Sequence, residues 1–164
     1  MKKFILLMVL AVMGFTSSYG QGNFRLGVNA GLPIGDAADY TTFQLGTDLA
    51  NMVNLAGVAS VGPMIGYSHF FGDSGAEVGG VTWDADDVQF VPIAASSRFT
   101  FLSLALGLDL GYALALNKDS DGGLYYRPQV GFTIGPVGLI ASYQGISQDG
   151  SSISSLNLGV EFKL

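Results

Sequence analysis

Leu104-Ala105-Leu106-Gly107-Leu108-Asp109-Leu110-Gly111-Tyr112-Ala113-Leu114-Ala115-Leu116 puts leucine or tyrosine at every even position and alanine, glycine or aspartate at every odd one. A period of two is the signature of a strand, because successive side chains leave a strand on opposite faces; helical winding would scatter these leucines around the axis. The strand therefore has one greasy face and one small, polar face. In a water-soluble sheet the greasy face needs a second layer over it, whereas in a membrane barrel it meets lipid.

Residues 1–20 read as a secretory signal peptide: Lys2 and Lys3, an apolar run from Phe4 to Phe15, and an exit ending Ser18-Tyr19-Gly20. The run is too short to cross a bilayer, and small side chains at Ser18 and Gly20 suit a signal peptidase, so cleavage is expected between Gly20 and Gln21. Residues 21–164 are then one domain, and loss of the two lysines takes the formal charge from -6 to -8. No cysteine is present, which excludes a disulfide framework, a thiolate metal site and a lipid-anchored thiol. Arg25, Arg98, Lys118, Arg127 and Lys163 are widely separated, leaving no basic patch for a nucleic acid backbone. Asp109 and several glycines interrupt the most apolar segment, so no helix-spanning run follows the signal. Residence in a membrane would have to be through strands.

Eight strands are expected, at about 23–32, 42–49, 55–71, 88–101, 103–115, 124–134, 137–146 and 153–164. Phe24, Leu26, Val28, Ala30 and Leu32 alternate with Arg25, Gly27, Asn29 and Gly31, and Leu156, Leu158, Val160, Phe162 and Leu164 with Asn157, Gly159, Glu161 and Lys163. Long connections (Pro33–Thr41, Gly72–Asp87, Asn117–Gly123, Ser147–Ser152) follow odd strands, and short ones (Ala50–Asn54, Leu102, Gly135-Pro136) follow even strands. An antiparallel up-and-down meander sorts these to opposite rims, as in a transmembrane barrel with long outer loops and tight periplasmic turns. Ten of the thirteen acids (Asp36, Asp39, Asp73, Glu77, Asp84, Asp86, Asp87, Asp119, Asp121, Asp149) fall in the long loops and make one rim negative. Phe43, Tyr67, Tyr112, Tyr126 and Tyr143 fall toward the loop rim, and Phe24, Phe99, Phe101, Phe132 and Phe162 toward the turn rim. Two such girdles mark the headgroup levels of a bilayer. Pro63, Pro92 and Pro128 lie inside strands, where β-bulges are expected to absorb them, and a further bulge near Ser96-Ser97 is expected because Phe90 and Arg98 share parity.

An eight-stranded barrel is only just wide enough for its own side chains to fill. Arg25, Asp48, Arg98, Asp109, Arg127, Glu161 and Lys163 are the interior candidates, four cations against three anions, expected to neutralise one another as a salt-bridged plug. A narrow polar conduit is the alternative. The single histidine, His69, follows Ser68; adjacent strand residues face opposite ways, which separates them and disfavours a catalytic pair, so His69 is expected in the aromatic girdle. Asn117 to Gly122 matches the first half of a calcium loop, but Pro128 stands where the bidentate glutamate belongs. An Asp/Gly-rich hairpin loop is the better account of that segment, the alternative being weak divalent-cation binding across the acidic rim that would bridge to lipopolysaccharide phosphates. Trp83 beside Asp84, Asp86 and Asp87 marks a candidate contact site in the longest loop. No cofactor and no metal centre are implied.

The signal peptide, the dyad strands, the segment Val61-Gly62-Pro63-Met64-Ile65-Gly66-Tyr67-Ser68-His69-Phe70-Phe71-Gly72 and the ending Leu158-Gly159-Val160-Glu161-Phe162-Lys163-Leu164 together resemble the small outer membrane β-barrel family. The likeness is greatest to the compact eight-stranded members common in Bacteroidota, akin to OmpX, OmpW and the barrel half of OmpA. It implies an all-β, eight-stranded antiparallel transmembrane barrel in the outer membrane of a Gram-negative bacterium, in contact with outer membrane lipid and lipopolysaccharide. It also implies that the last strand is read by the barrel assembly machinery, although here Phe162 stands two positions before a final Leu164. Nothing follows the eighth strand, so the peptidoglycan-binding domain attached to OmpA-like barrels is not expected. The expected role is structural or interactive at the cell surface, without enzymatic activity. The rivals are a small channel or transporter for ionic or hydrophobic solutes, a lipid-modifying outer membrane enzyme, and a soluble lipocalin-like barrel.

Overall fold

A computed structural model describes residues 23–55, 57–78, 81–84, 86–117, 122–148 and 151–164, with the backbone alone at 74–78 and 81–84. The expected signal peptide, Asp119, Asp121 and Asp149 lie outside the described residues. Among the described residues ten strands form: β1 (Asn23–Ile34), β2 (Thr41–Leu55), β3 (Ala59–Gly72), β4 (Ser74–Val78), β5 (Val81–Asp84), β6 (Val88–Phe101), β7 (Leu104–Ala115), β8 (Gly123–Ile134), β9 (Val137–Gln148) and β10 (Ser151–Lys163). Eight of them close into an antiparallel barrel in the order β1-β10-β9-β8-β7-β6-β3-β2. β4 and β5 make a separate hairpin between β3 and β6, in a stretch read as a long acidic connection with no strands of its own.

Closure joins the two ends of the domain. β1 pairs with β10 from Arg25↔Lys163 to Ile34↔Ser154, and the Leu164 amide donates to the Phe24 carbonyl at 2.8 Å. Among the described residues the barrel has no edge strand, so backbone groups inside the apolar slab find partners along the ladders except where a proline interrupts one. The side chains follow the period of two along most of each barrel strand, with a slip between Thr41 and Phe43 where the β2–β3 register shifts. In β7, Asp109 is fully buried while Leu108 and Leu110 are 39% and 49% exposed, and among the described residues no polypeptide layer covers the outer faces of the eight barrel strands. The leucine-bearing face looks out of the barrel, not toward a second sheet.

Four local expectations are corrected. The first turn-rim connection is not Ala50–Asn54: β2 runs on to Leu55 and the chain reverses around Gly57, whose φ of 78° is in the left-handed region that glycine enters freely. Asn51 and Asn54 look like turn residues but sit in the ladder, Asn54 opposite Ser60. The connection Ser147–Ser152 is not long, because Gln148 pairs with Ser151 and only two residues separate the strands. No bulge occurs at Ser96-Ser97, where the β6–β7 pairing is continuous from Phe90 to Phe101. Phe90 and Arg98 share parity because both point inward. Finally, the prolines are absorbed without bulges. Each lies where the ladder to one neighbour skips two pairs and then resumes in the same register, while the other ladder continues through Pro63↔Ala95, Pro92↔Ala113 and Pro128↔Leu108. A missing N–H therefore costs one side of the strand only.

Candidate functional site

The period of two delivers all seven interior candidates to the lumen side, and six of them form one alternating chain of charge. Arg25 reaches Glu161 at 2.9 Å, Glu161 reaches Arg98 at 3.4 Å, Arg98 reaches Asp109 at 2.7 Å, Asp109 reaches Arg127 at 2.8 Å, and Arg127 reaches Asp48 at 2.6 Å. Three cations thus meet three anions. Lys163, at the turn end and half-buried, is not part of this chain. Two contacts matter most for shape: in the strand order, β8 stands opposite β2 and β6 opposite β10, so Arg127–Asp48 and Arg98–Glu161 cross the whole lumen.

Asp109 is the centre of this chain. Its carboxylate accepts from Arg98, Arg127, the Gln129 amide (2.8 Å) and the Ser96 hydroxyl (2.6 Å), four donors that replace the water an ionised carboxylate loses on burial. Glycines on the lumen face make room for these side chains. A Cβ at Gly27 would lie 2.7 Å from Asp48 Oδ2, and one at Gly107 would lie 2.8 Å from both Arg98 Cδ and Gln129 Cγ. Beside the charges lies a cavity of about 20 Å³, bordered by Asn29, Asp48, Arg127, Gln129, Ser142 and Glu161, room for roughly one water.

Two further lumen layers carry no signal in a list of charges. Toward the loops, Ser155 donates to Gln44 at 2.8 Å and Gln144 donates to Ser68 at 3.1 Å, the second bond again joining opposite strands, β9 and β3. Above lies an apolar layer in which Phe70, Phe90, Tyr125 and Ile146 are fully buried, with Phe70 and Phe90 edge to face at 6.1 Å. The parity shared by Phe90 and Arg98 was the clue to it.

At the loop rim, Ser68 points inward and His69 outward, so they face opposite sides of the wall. His69 packs on Phe71 with ring centroids 4.3 Å apart and bonds Tyr67 through Nδ1 (3.1 Å) and Asp87 through Nε2 (3.0 Å). The Asp87 carboxylate accepts from Nε2. The other oxygen of Asp87 accepts from the Gly72 amide at 2.9 Å, and the Asp87 carbonyl accepts from Asn117 Nδ2 at 2.8 Å. The Gly72 N–H first, and His69 second, hold the Asp87 carboxyl below the ordinary carboxylate range. Asp87 is thus tied down at the base of two loops. Asp86 is exposed; Trp83 and Asp84 lie in β5, where the backbone alone is described.

No protein-family model and no curated protein matches this chain. Solved structures do. The chain is similar to the Yersinia pestis outer membrane protein Ail in a phospholipid bilayer nanodisc, with a TM-score of 0.60, 16% identity, and coverage of 88% of this chain and 100% of that one. Crystal structures of Ail, the attachment invasion locus protein of Yersinia pestis, match at TM-scores of 0.56 alone and 0.54 with the heparin analogue sucrose octasulfate, each at 15% identity over 87% of this chain and 97% of theirs. At that identity the likeness is one of fold. The chain has the closed eight-stranded architecture of a small outer membrane barrel.

Proposed function

We propose that residues 21–164, following a signal peptide at 1–20, form an integral outer membrane barrel that does not conduct and that works at the cell surface through its loop rim. The observation that carries this is the pair of cross-lumen bridges, Arg127–Asp48 and Arg98–Glu161. The cavity that borders Asp48, Arg127 and Glu161 has a volume of about 20 Å³. An ion in transit would have to break buried ion pairs that lack water to replace them. Purified protein in planar bilayers at neutral pH is expected to give no discrete conductance; stepwise channels would overturn the reading. Heat-modifiable migration on a detergent gel is the companion test of an intact small barrel, and its absence would count against the fold in solution.

In this reading the outer face contacts lipid and lipopolysaccharide, and β10 presents the strand that the barrel assembly machinery reads. The rim itself is acidic: Asp36, Asp39, Asp73, Asp86 and Asp87 are all on the loop side. A crystal structure of Ail holds a polyanion. That chemistry does not suit this rim, because among the described residues the three arginines are buried in the lumen and Lys163 lies at the turn end. No catalytic role is assigned, since Ser68 and His69 face opposite sides of the wall; unchanged phenotype for His69→Ala in lipid hydrolysis assays is the expected outcome.

A further inference from the structure

We infer that the loop-side mouth of the barrel is a dead-end binding cup for a small organic cation: a single ring or short alkyl body below, an ammonium group above. A cavity of about 280 Å³ opens there between the 3₁₀ turn Gly35–Asp39, the start of β10 and the ends of β3 and β6. Its wall is mostly apolar, with Phe70, Val88 and Ile153 at the bottom and Tyr40 at the top, and Asp36 is its one charged side chain among the described residues. An apolar cavity of about 150 Å³ takes benzene, so the volume here fits one ring with a short side chain. Mouths of β-barrels are common ligand sites.

Three features favour binding over passage and a cation over an anion. Below the cup, Phe70, Phe90, Tyr125 and Ile146 are fully buried and closely packed, and the charged chain lies beneath them. The upper wall is held in place before any ligand arrives: Thr41 Oγ1 donates to the Ala37 carbonyl at 2.6 Å, and the Asp73 amide donates to the Tyr40 carbonyl at 2.9 Å. Such preorganisation lowers the ordering cost of binding. Asp36 and the exposed ring of Tyr40 give an ammonium a carboxylate and a π-face at the entrance, while the surrounding acidic rim concentrates cations and repels anions. The inference is independent of the partner surface proposed for the loops.

The test uses the barrel in phosphatidylcholine nanodiscs, methyl-labelled at Val88 and Ile153, titrated with 2-phenylethylammonium and separately with 3-phenylpropanoate, which has a similar body and the opposite charge. Saturable shifts at both methyls with the ammonium, and none with the carboxylate, are expected. Asp36→Asn should weaken the ammonium about three- to fivefold, the scale of an exposed ion pair. Ile153→Trp fills the cup and should abolish binding; Val88→Phe serves if that variant fails to fold. Shifts that never saturate, survive the filled cup, or are equally strong with the carboxylate would overturn the inference.

Discussion

Arg127 illustrates what a single lumen side chain does. It holds Asp48 on the far wall and Asp109 beside it, so Arg127→Ala leaves two buried carboxylates short of their partner. Removing one member of a buried pair costs about 3–5 kcal/mol, and the urea unfolding midpoint in lipid vesicles should fall accordingly; a loss under 1 kcal/mol would mean that water reaches the site. Asp87 gives a different, pH-dependent expectation. Its folded pKa lies below its unfolded one, so its contribution is complete above the unfolded value and is lost as pH falls through the depressed value. The Gly72 amide shift should follow this carboxyl and titrate below the ordinary carboxylate range, and Asp87→Asn should abolish that titration. At this scale, which charges face inward is legible from parity alone. Their partners are not, because Arg127 and Asp48 are brought together only by closure across eight strands, a distance that no spacing in the chain encodes. The bulge expected at Ser96-Ser97 fails for a related reason: an aromatic sharing parity with an arginine suggests opposite faces, but the upper lumen is itself apolar.

Among the strands, β7 makes the sidedness testable. Leu108 lies mid-strand on the outer face, paired with Pro128 and Ser97. Leu108→Arg is expected to destabilise the membrane-inserted barrel by about 2–4 kcal/mol, read from unfolding in vesicles. A neutral result would place this face away from hydrocarbon. The turns give a second expectation. Leu102 takes a φ of 54°, the one non-glycine residue with positive φ among the described residues, and is 88% exposed; Gly135 fills the equivalent place between β8 and β9 with a φ of 59°. Leu102→Asn, which tolerates that region better, should raise stability by about 0.5–1 kcal/mol. Strand number and sidedness are legible because alternation repeats over ten or more residues. Turn positions are less so: asparagines at 51 and 54 mimic a turn that belongs to Gly57. The hairpin β4–β5 lies in a stretch whose sequence reads simply as acidic loop.

For the molecule as a whole, long and short connections sort to opposite rims as the meander requires, apart from the two-residue link between β9 and β10. The six linked charges are spread over β1, β2, β6, β7, β8 and β10. Glu161 arrives on the last strand and is the carboxylate shared by Arg25 on the first and Arg98 on the sixth. Until the seam zips, therefore, an open sheet entering the bilayer would carry Arg25 with no carboxylate beside it and Arg98 with Asp109 alone, and an unpaired guanidinium in oil costs kilocalories. Neutralisation of the interior and sealing of the seam become one event, so a nascent chain lacking its terminal strand should stall at the aqueous surface instead of entering half-built.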